Sequence, residues 1–196
     1  MPIEILADQG AFRLTLPQAQ GPQIVSFADL PALLAAHLCQ WEPPQRLEAC
    51  AAALVQSGFE PHHAKRFATA VMRWGGGHRL VGRFDDQNED HDFANCLRAA
   101  FGLVQAGDVP AAVTAVAQCA YLGQSFASKL VGFLAPRQAV ILDSVIRTKL
   151  GYRESIAGYT ALLQDCLAIQ AAVFQRHPHL RVCDIEAAIF AKLQGY

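Results

Sequence analysis

Residues 113–152 read VTAVAQCAYLGQSFASKLVGFLAPRQAVILDSVIRTKLGY, and this stretch decides the fold. A helix runs to about Cys119 and breaks tightly at Tyr121–Leu122–Gly123–Gln124. A second helix covers Ser125–Leu134 and is ended by Pro136. The apolar run Ala139–Leu142 then delivers Asp143, which opens a short helix through Leu150 closed by Gly151. Two helices about so short a turn form a hairpin. Backbone N–H groups at the turn and at the start of the second helix can face outward together, an arrangement that holds a phosphate without reading sequence.

The second helix carries two kinds of face. At about 100° per residue, Phe126, Leu130, Phe133 and Leu134 fall on one side and are expected in the core. Ser125, Lys129 and Gly132 fall together elsewhere, with Ser128 beside them, so small residues flank one lysine. The bland alternative is a solvated surface lysine. Asp143 has its own bland reading, an N-cap that satisfies amides of its helix. The two roles are compatible. A carboxylate at a helix N-terminus stays ionised readily and can stabilise a developing sugar cation.

The rest of the chain also reads as helices: about Asp29–Cys39 with Pro31 in the first turn, Pro44–Gln56, Pro61 to the Gly75–Gly77 run, Phe93–Gln105, and Asp108 to about Cys119. After the hairpin come Glu154–Arg176 and Asp184–Leu193. Two short runs near the start, Ile3–Leu6 and Phe12–Leu16, suggest a small hairpin of strands. Apolar residues make up 53% of the 196, rich in Ala and Leu, which favours helices. The fold class expected is all-α with a minor N-terminal β element, one substantial core shared by two small lobes.

Net charge is −1, yet the charges are segregated. Lys65, Arg66, Arg73, Arg79 and Arg83 lie between Pro61 and Arg83 with no acid. Lys129, Arg137, Arg147, Lys149 and Arg153 follow later with only Asp143 among them. Between the two stretches lies an acidic loop with Asp85, Asp86, Glu89, Asp90 and Asp92. Such segregation can give a neutral protein one phosphate-attracting face; ordinary solvated helix faces explain the charges as well. The start MPIEILADQG has no signal-peptide character, and no run approaches about 18 uninterrupted apolar residues, so a cytoplasmic protein without membrane attachment is expected. The six cysteines lack metal-site spacing and read as reduced small hydrophobes.

Three other motifs carry less. Asp86-x-Asn88-x-Asp90 begins like an EF-hand loop, but His91 replaces the needed glycine and Leu97 the final glutamate, which rejects calcium. His62-His63 and His177-Pro178-His179 have no companion ligands in the pattern and read as surface or capping histidines. Trp74-Gly75-Gly76-Gly77-His78 reads either as a mobile loop that stacks on a base or, better, as a helix-ending turn with a buried Trp.

On the hairpin and Asp143, the sequence resembles the helix-hairpin-helix DNA glycosylase superfamily, which includes endonuclease III and the 8-oxoguanine glycosylases. That family carries L-x-G-V-G-x-K-x-A before a helix and an Asp in a V-D-T/V-x-V segment. Gly123 matches the second hairpin glycine, Ala127 the alanine, and Leu142-Asp143-Ser144-Val145-Ile146 the aspartate segment. SFASKLVGFLAPRQAVILDSVI is most similar to a compact bacterial branch described as 8-oxoguanine glycosylases; the clear likeness covers about forty residues. Two positions depart: Tyr121 replaces the first hairpin glycine, and Ser125 stands where lysine-bearing members hold their nucleophile. Lys129 lies four residues on, about one turn along the same face. The family's iron–sulfur cluster has no counterpart, since only Cys166 and Cys183 follow the hairpin.

The resemblance implies a two-lobed glycosylase-like fold formed by residues 1–196 as one compact domain, with the hairpin unit at about 109–152. It implies a monomer that acts on double-stranded DNA with a damaged base, an oxidised purine in the related branch, in the nucleoid-associated cytoplasm and without a cofactor. Lys129, rendered neutral by desolvation and by cations such as Arg147, would attack the sugar C1′, and Asp143 would stabilise the cationic state; the Schiff base would permit strand nicking. Leu122, Gly123, Gln124, Ser125 and Arg147 would contact DNA. Two alternatives stay open: a monofunctional glycosylase in which Asp143 activates water, and a non-catalytic helix-hairpin-helix module that binds DNA or a protein. A helical interaction protein without DNA is a weaker third.

Overall fold

A computed structural model describes residues 2–17, 21–40 and 44–196. The strands are β1 (Ile3–Leu6), β2 (Ala11–Leu14) and β3 (Gln23–Ser26). The helices are α1 (Leu30–Gln40), α2 (Gln45–Gln56), α3 (Pro61–Trp74), α4 (Val81–Gln87) and α5 (Asp90–Gln105). They continue with α6 (Val109–Ala117), α7 (Gly123–Leu134), α8 (Ser144–Leu150), α9 (Ile156–Val173) and α10 (Val182–Gln194). The protein is all-α with a small sheet. The chain divides into two compact units, Met1–Trp41 with Val140–Tyr196, and the continuous stretch Glu42–Ala139.

The split unit carries the sheet, an antiparallel meander in the order β1-β2-β3. Phe12 and Leu14, two apart on β2 and so on one face, are fully buried; Arg13 between them points the other way and pairs at 2.6 Å with Glu4, its register partner on β1. The third strand was absent from the sequence expectation, because only four residues, Gln-Ile-Val-Ser, follow Gly21-Pro22. α1 packs against α10, with the His37 ring edge-on to Phe190 at 5.4 Å between centroids. α9 has the length and mean hydropathy of a membrane span, 18 residues at 1.3. Its apolarity is used internally: Tyr159, Leu162, Cys166, Ile169 and Val173 follow helical spacing into the core.

In the continuous unit, α7 packs against α2, α3, α5 and α6. Every residue from Ala127 to Leu134 is buried, the signature of a helix enclosed on all sides. Phe84 of α4 meets Phe93 of α5 edge-on at 5.0 Å. The acidic stretch read as a loop is mostly helical. Asp85 and Asp86 lie in α4, Glu89 caps α5 by accepting from the Asp92 amide, and Asp90 and Asp92 occupy its first turn, where carboxylates complement the helix dipole.

Candidate functional site

The helix before the hairpin is opened by Asp108, whose carboxylate accepts from the Ala111 amide at 3.0 Å, with Pro110 in its first turn. α6 ends at Ala117, and the turn that follows is pinned from outside. The Asn88 side chain accepts from the Ala120 amide at 3.0 Å and donates to the Ala120 carbonyl at 3.1 Å. Tyr121 then adopts φ +64°, a left-handed conformation that suits glycine. Tyr121 thus adopts a glycine-like geometry and is 43% exposed. Gly123 follows at φ +50°, and the Phe126 amide to the Leu122 carbonyl makes the first turn of α7.

The residues expected to meet DNA at this turn differ in what they offer. Gly123 is exposed, Gln124 and Ser125 are half-buried, and the Leu122 side chain is only 2% exposed. Leu122 is a core residue, so a DNA contact there is confined to its backbone.

Lys129 is buried at 6% exposure, which removes the reading of a solvated surface lysine. Its amine runs back along α7 and donates to the Ser125 hydroxyl at 3.1 Å. Helical side chains lean toward the N-terminus, so a residue at i reaches the shell of i−4. The amine also lies 5.7 Å from the centre of the Phe126 ring. Ser128 is fully buried beside it and bonds back to the Ser125 carbonyl at 2.9 Å.

The cover over this lysine is the glycine turn after α3. A Cβ at Gly75 would stand 3.0 and 3.1 Å from Lys129 Cδ and Cε and 2.9 Å from Phe126; one at Gly77 would stand 2.5 Å from Phe126. Real Cβ atoms essentially never stand closer than 3.0 Å, so a side chain at Gly75 or Gly77 would force the Phe126 ring to shift. Trp74 meets Phe133 edge-on at 5.1 Å, and the amides of Gly75 and Gly77 close on the Val71 and Met72 carbonyls. The Trp-Gly-Gly-Gly-His segment is a helix-ending turn packed on α7.

Beside that turn lies a groove of about 980 Å³, lined from α2 by Arg46 and from α3 by His62, Lys65, Arg66, Arg73 and Trp74. Lys65 is neutralised by Asp90 at 3.2 Å and Asp85 at 3.8 Å, so the acidic and basic stretches interlock there. Arg66 and Arg73 are exposed. The sequence showed the α3 cations but not that Arg46 joins them, since that meeting depends on how α2 packs against α3.

Asp143 belongs to the split unit. It caps α8, its carboxylate accepting from the Ile146 amide at 3.0 Å, and Gly151 closes the helix at φ +75°. The run that delivers it is held by two buried side chains. The Val140 amide donates to the Tyr159 hydroxyl at 3.5 Å and the Ile141 amide to Glu186 at 3.4 Å, while Leu142 is buried. Both anchors escaped the sequence reading, because they lie on α9 and α10. Burial pushes the His37 imidazole below its ordinary value, and the negative charge of Asp143 opposes that shift. Below this run, the Tyr152 hydroxyl donates to Asp165 at 2.6 Å; burial raises both groups.

Arg147, expected to contact DNA and to act as a cation for Lys129, lies on α8 of the split unit, where it pairs with Glu154. Lys149 donates to the Leu193 carbonyl. Lys129 and Asp143 thus belong to different units, each with its side chain fixed by its own helix. Among the described residues, no group of three His, Cys, Asp or Glu side chains is placed to hold a metal ion.

A family model described as "Putative 8-oxoguanine DNA glycosylase OGG-like protein" matches residues 45–190, a span that includes α2 through most of α10 and both Lys129 and Asp143. No curated protein and no solved structure matches the chain.

Proposed function

The chain belongs to the OGG-like 8-oxoguanine DNA glycosylase family, and from that premise we propose that it excises a damaged base, an oxidised purine, through a Schiff base on Lys129 assisted by Asp143. Membership points to DNA as the substrate and base excision as the class of reaction. The lyase step and the two residue roles are our own reading. One observation carries it: the Lys129 amine lies 3.1 Å from the side-chain oxygen of Ser125, the position at which lysine-bearing relatives of the hairpin family place their nucleophile.

The damaged nucleotide must leave the stack before C1′ is reachable. The uncharged Lys129 amine attacks C1′, the bond from C1′ to the base breaks, and the base departs with the electron pair and a proton. Attack requires the unprotonated form of this amine, whose residue is 6% exposed. Asp143 offers a negative charge to the oxocarbenium-like state. Loss of the amine proton and ring opening give the Schiff base. Loss of a C2′ proton then breaks the C3′–O bond and nicks the strand. The exposed Gly123 and the first turn of α7 suit a phosphate of the same strand.

A second reading is favoured by the burial of Lys129 and the half-exposure of Asp143: Asp143 activates water, and the amine only orders the hairpin. Borohydride trapping on duplexes that carry 8-oxoguanine, uracil or an abasic site separates the two. The expected result is a covalent protein–DNA adduct, lost in Lys129→Gln. Asp143→Asn keeps a helix cap but slows base release by about 100-fold or more. Base release without an adduct, undiminished in Lys129→Gln, moves the assignment to the water mechanism. No release from any lesion overturns both.

A further inference from the structure

We propose that Cys96 and Cys119 form an oxidation site in which a hydroperoxide converts the thiol pair into a disulfide that ties α5 to the turn after α6. The Cys119 thiol donates to Cys96 Sγ at 3.4 Å, and the Cys96 thiol lies 3.6 Å from the Ala115 carbonyl. A disulfide needs about 2.05 Å between sulfurs, so closure requires an approach of only about 1.4 Å. Both residues are half-buried, so neither is closed off from solvent as Cys166 is. The remaining cysteines are placed differently: Cys39 and Cys50 are exposed, Cys166 is buried, and Cys183 lies beside the Asp184 carboxylate.

The hydrogen bond between the sulfurs divides their roles. Donation from Cys119 lowers the Cys96 thiol below its ordinary value, and the same bond, with burial, raises Cys119. Cys96 is therefore the attacking sulfur. Its thiolate takes one peroxide oxygen, the O–O bond breaks, and the departing hydroxide or alkoxide leaves as water or alcohol with a proton. The Cys119 sulfur then attacks the Cys96 sulfenic acid, the S–O bond breaks, and hydroxide leaves as water with the Cys119 proton. Two thiols lose two electrons and two protons, and the peroxide is reduced by two electrons.

The location gives the bond a consequence. Cys119 immediately precedes Ala120, the residue held on both its amide and its carbonyl by Asn88, and stands two residues before the left-handed Tyr121. A disulfide adds a covalent tether to the turn that opens the helix of Lys129. This inference is independent of the glycosylase reading, because it needs neither DNA nor catalysis.

The test exposes the fully reduced full-length chain to hydrogen peroxide, blocks remaining thiols with N-ethylmaleimide, and maps peptides by mass spectrometry. The expected product joins the Cys96 and Cys119 peptides with the loss of two hydrogens. Alkylation of both, or preferential linkage of either to another cysteine, overturns the site. With dimedone present, Cys119→Ser should label Cys96 several-fold more than Cys96→Ser labels Cys119; the reverse order overturns the assignment of roles. Hydrogen exchange at amides 119–124 should slow several-fold in the oxidised parent. Unchanged exchange overturns the tether.

Discussion

The Lys129 amine donates to the hydroxyl of Ser125, one helical turn before it, at 3.1 Å. The Lys129 amine thus reaches the side chain of position 125 at the start of α7. We therefore expect Ser125→Lys combined with Lys129→Gln to restore the borohydride adduct that Lys129→Gln alone removes. Peptide mapping should place the adduct on residue 125. Failure of the double variant to trap, while still binding an abasic-site duplex, would show that the amine acts from its buried position only.

Gly77 is fixed by steric contact. A Cβ there would stand 2.5 Å from the Phe126 ring and 3.1 Å from the Met72 carbonyl. Gly77→Ala should cost about 1–3 kcal/mol in urea unfolding, the usual range for forcing a methyl into packed space. Phe126→Leu in the same chain should recover part of that loss. Additive costs in the double variant would place the strain on the Met72 carbonyl instead.

The groove along α3 should govern the salt dependence of DNA binding. Removing a cation that neutralises one phosphate lowers the slope of log K against log salt by about 0.9 on duplex DNA. Reversing exposed Arg66 or Arg73 to Glu should lower both affinity and slope. The same change at Arg147 should do less, since Glu154 already holds that guanidinium. Equal slopes in parent and α3 variants, measured by anisotropy across a salt series, would remove the groove from the DNA path.

Acid should destabilise the split unit through His37. Its folded-state pKa lies below the ordinary 6.5, so the unfolded chain binds the proton more readily. Stability is then constant for this group above about pH 6.5 and falls as pH drops below it. His37→Gln should flatten that part of the profile. The comparison is the difference in urea midpoint between parent and variant at about pH 5 and about pH 7.5; parallel profiles would exclude His37 as the source.

Local chemistry made some of this legible in advance. Asp143 capping α8, Gly151 ending it, and Asp108 with Pro110 opening α6 are decided by backbone groups within four residues, and the sequence contains all of them. Lys129 was harder. Helical periodicity assigned it a different face from Phe126 and Leu130, but α7 is enclosed by four helices and has no solvated face along Ala127–Leu134. The contacts of Gly75 and Gly77 with Phe126 span some fifty residues, and those of Tyr159 and Glu186 with the run before Asp143 span 19 and 45. No local pattern encodes such meetings. The acids at 89–92 misled for a physical reason: in a first turn they stabilise a helix, whereas their density alone suggests a loop.

The division of the chain has a consequence for its birth on the ribosome. Residues 42–139 are continuous and interrupt a unit whose first part ends near residue 41 and whose second begins at Val140. The sheet and α1 are made before residues 42–139, yet α1 packs against α10, which is made after them. Residues 42–139 can thus finish folding during synthesis while α1 waits with apolar surface uncovered. Premature termination within α9 or α10 would leave a folded centre attached to an unfinished beginning, a species suited to capture by chaperones or proteases.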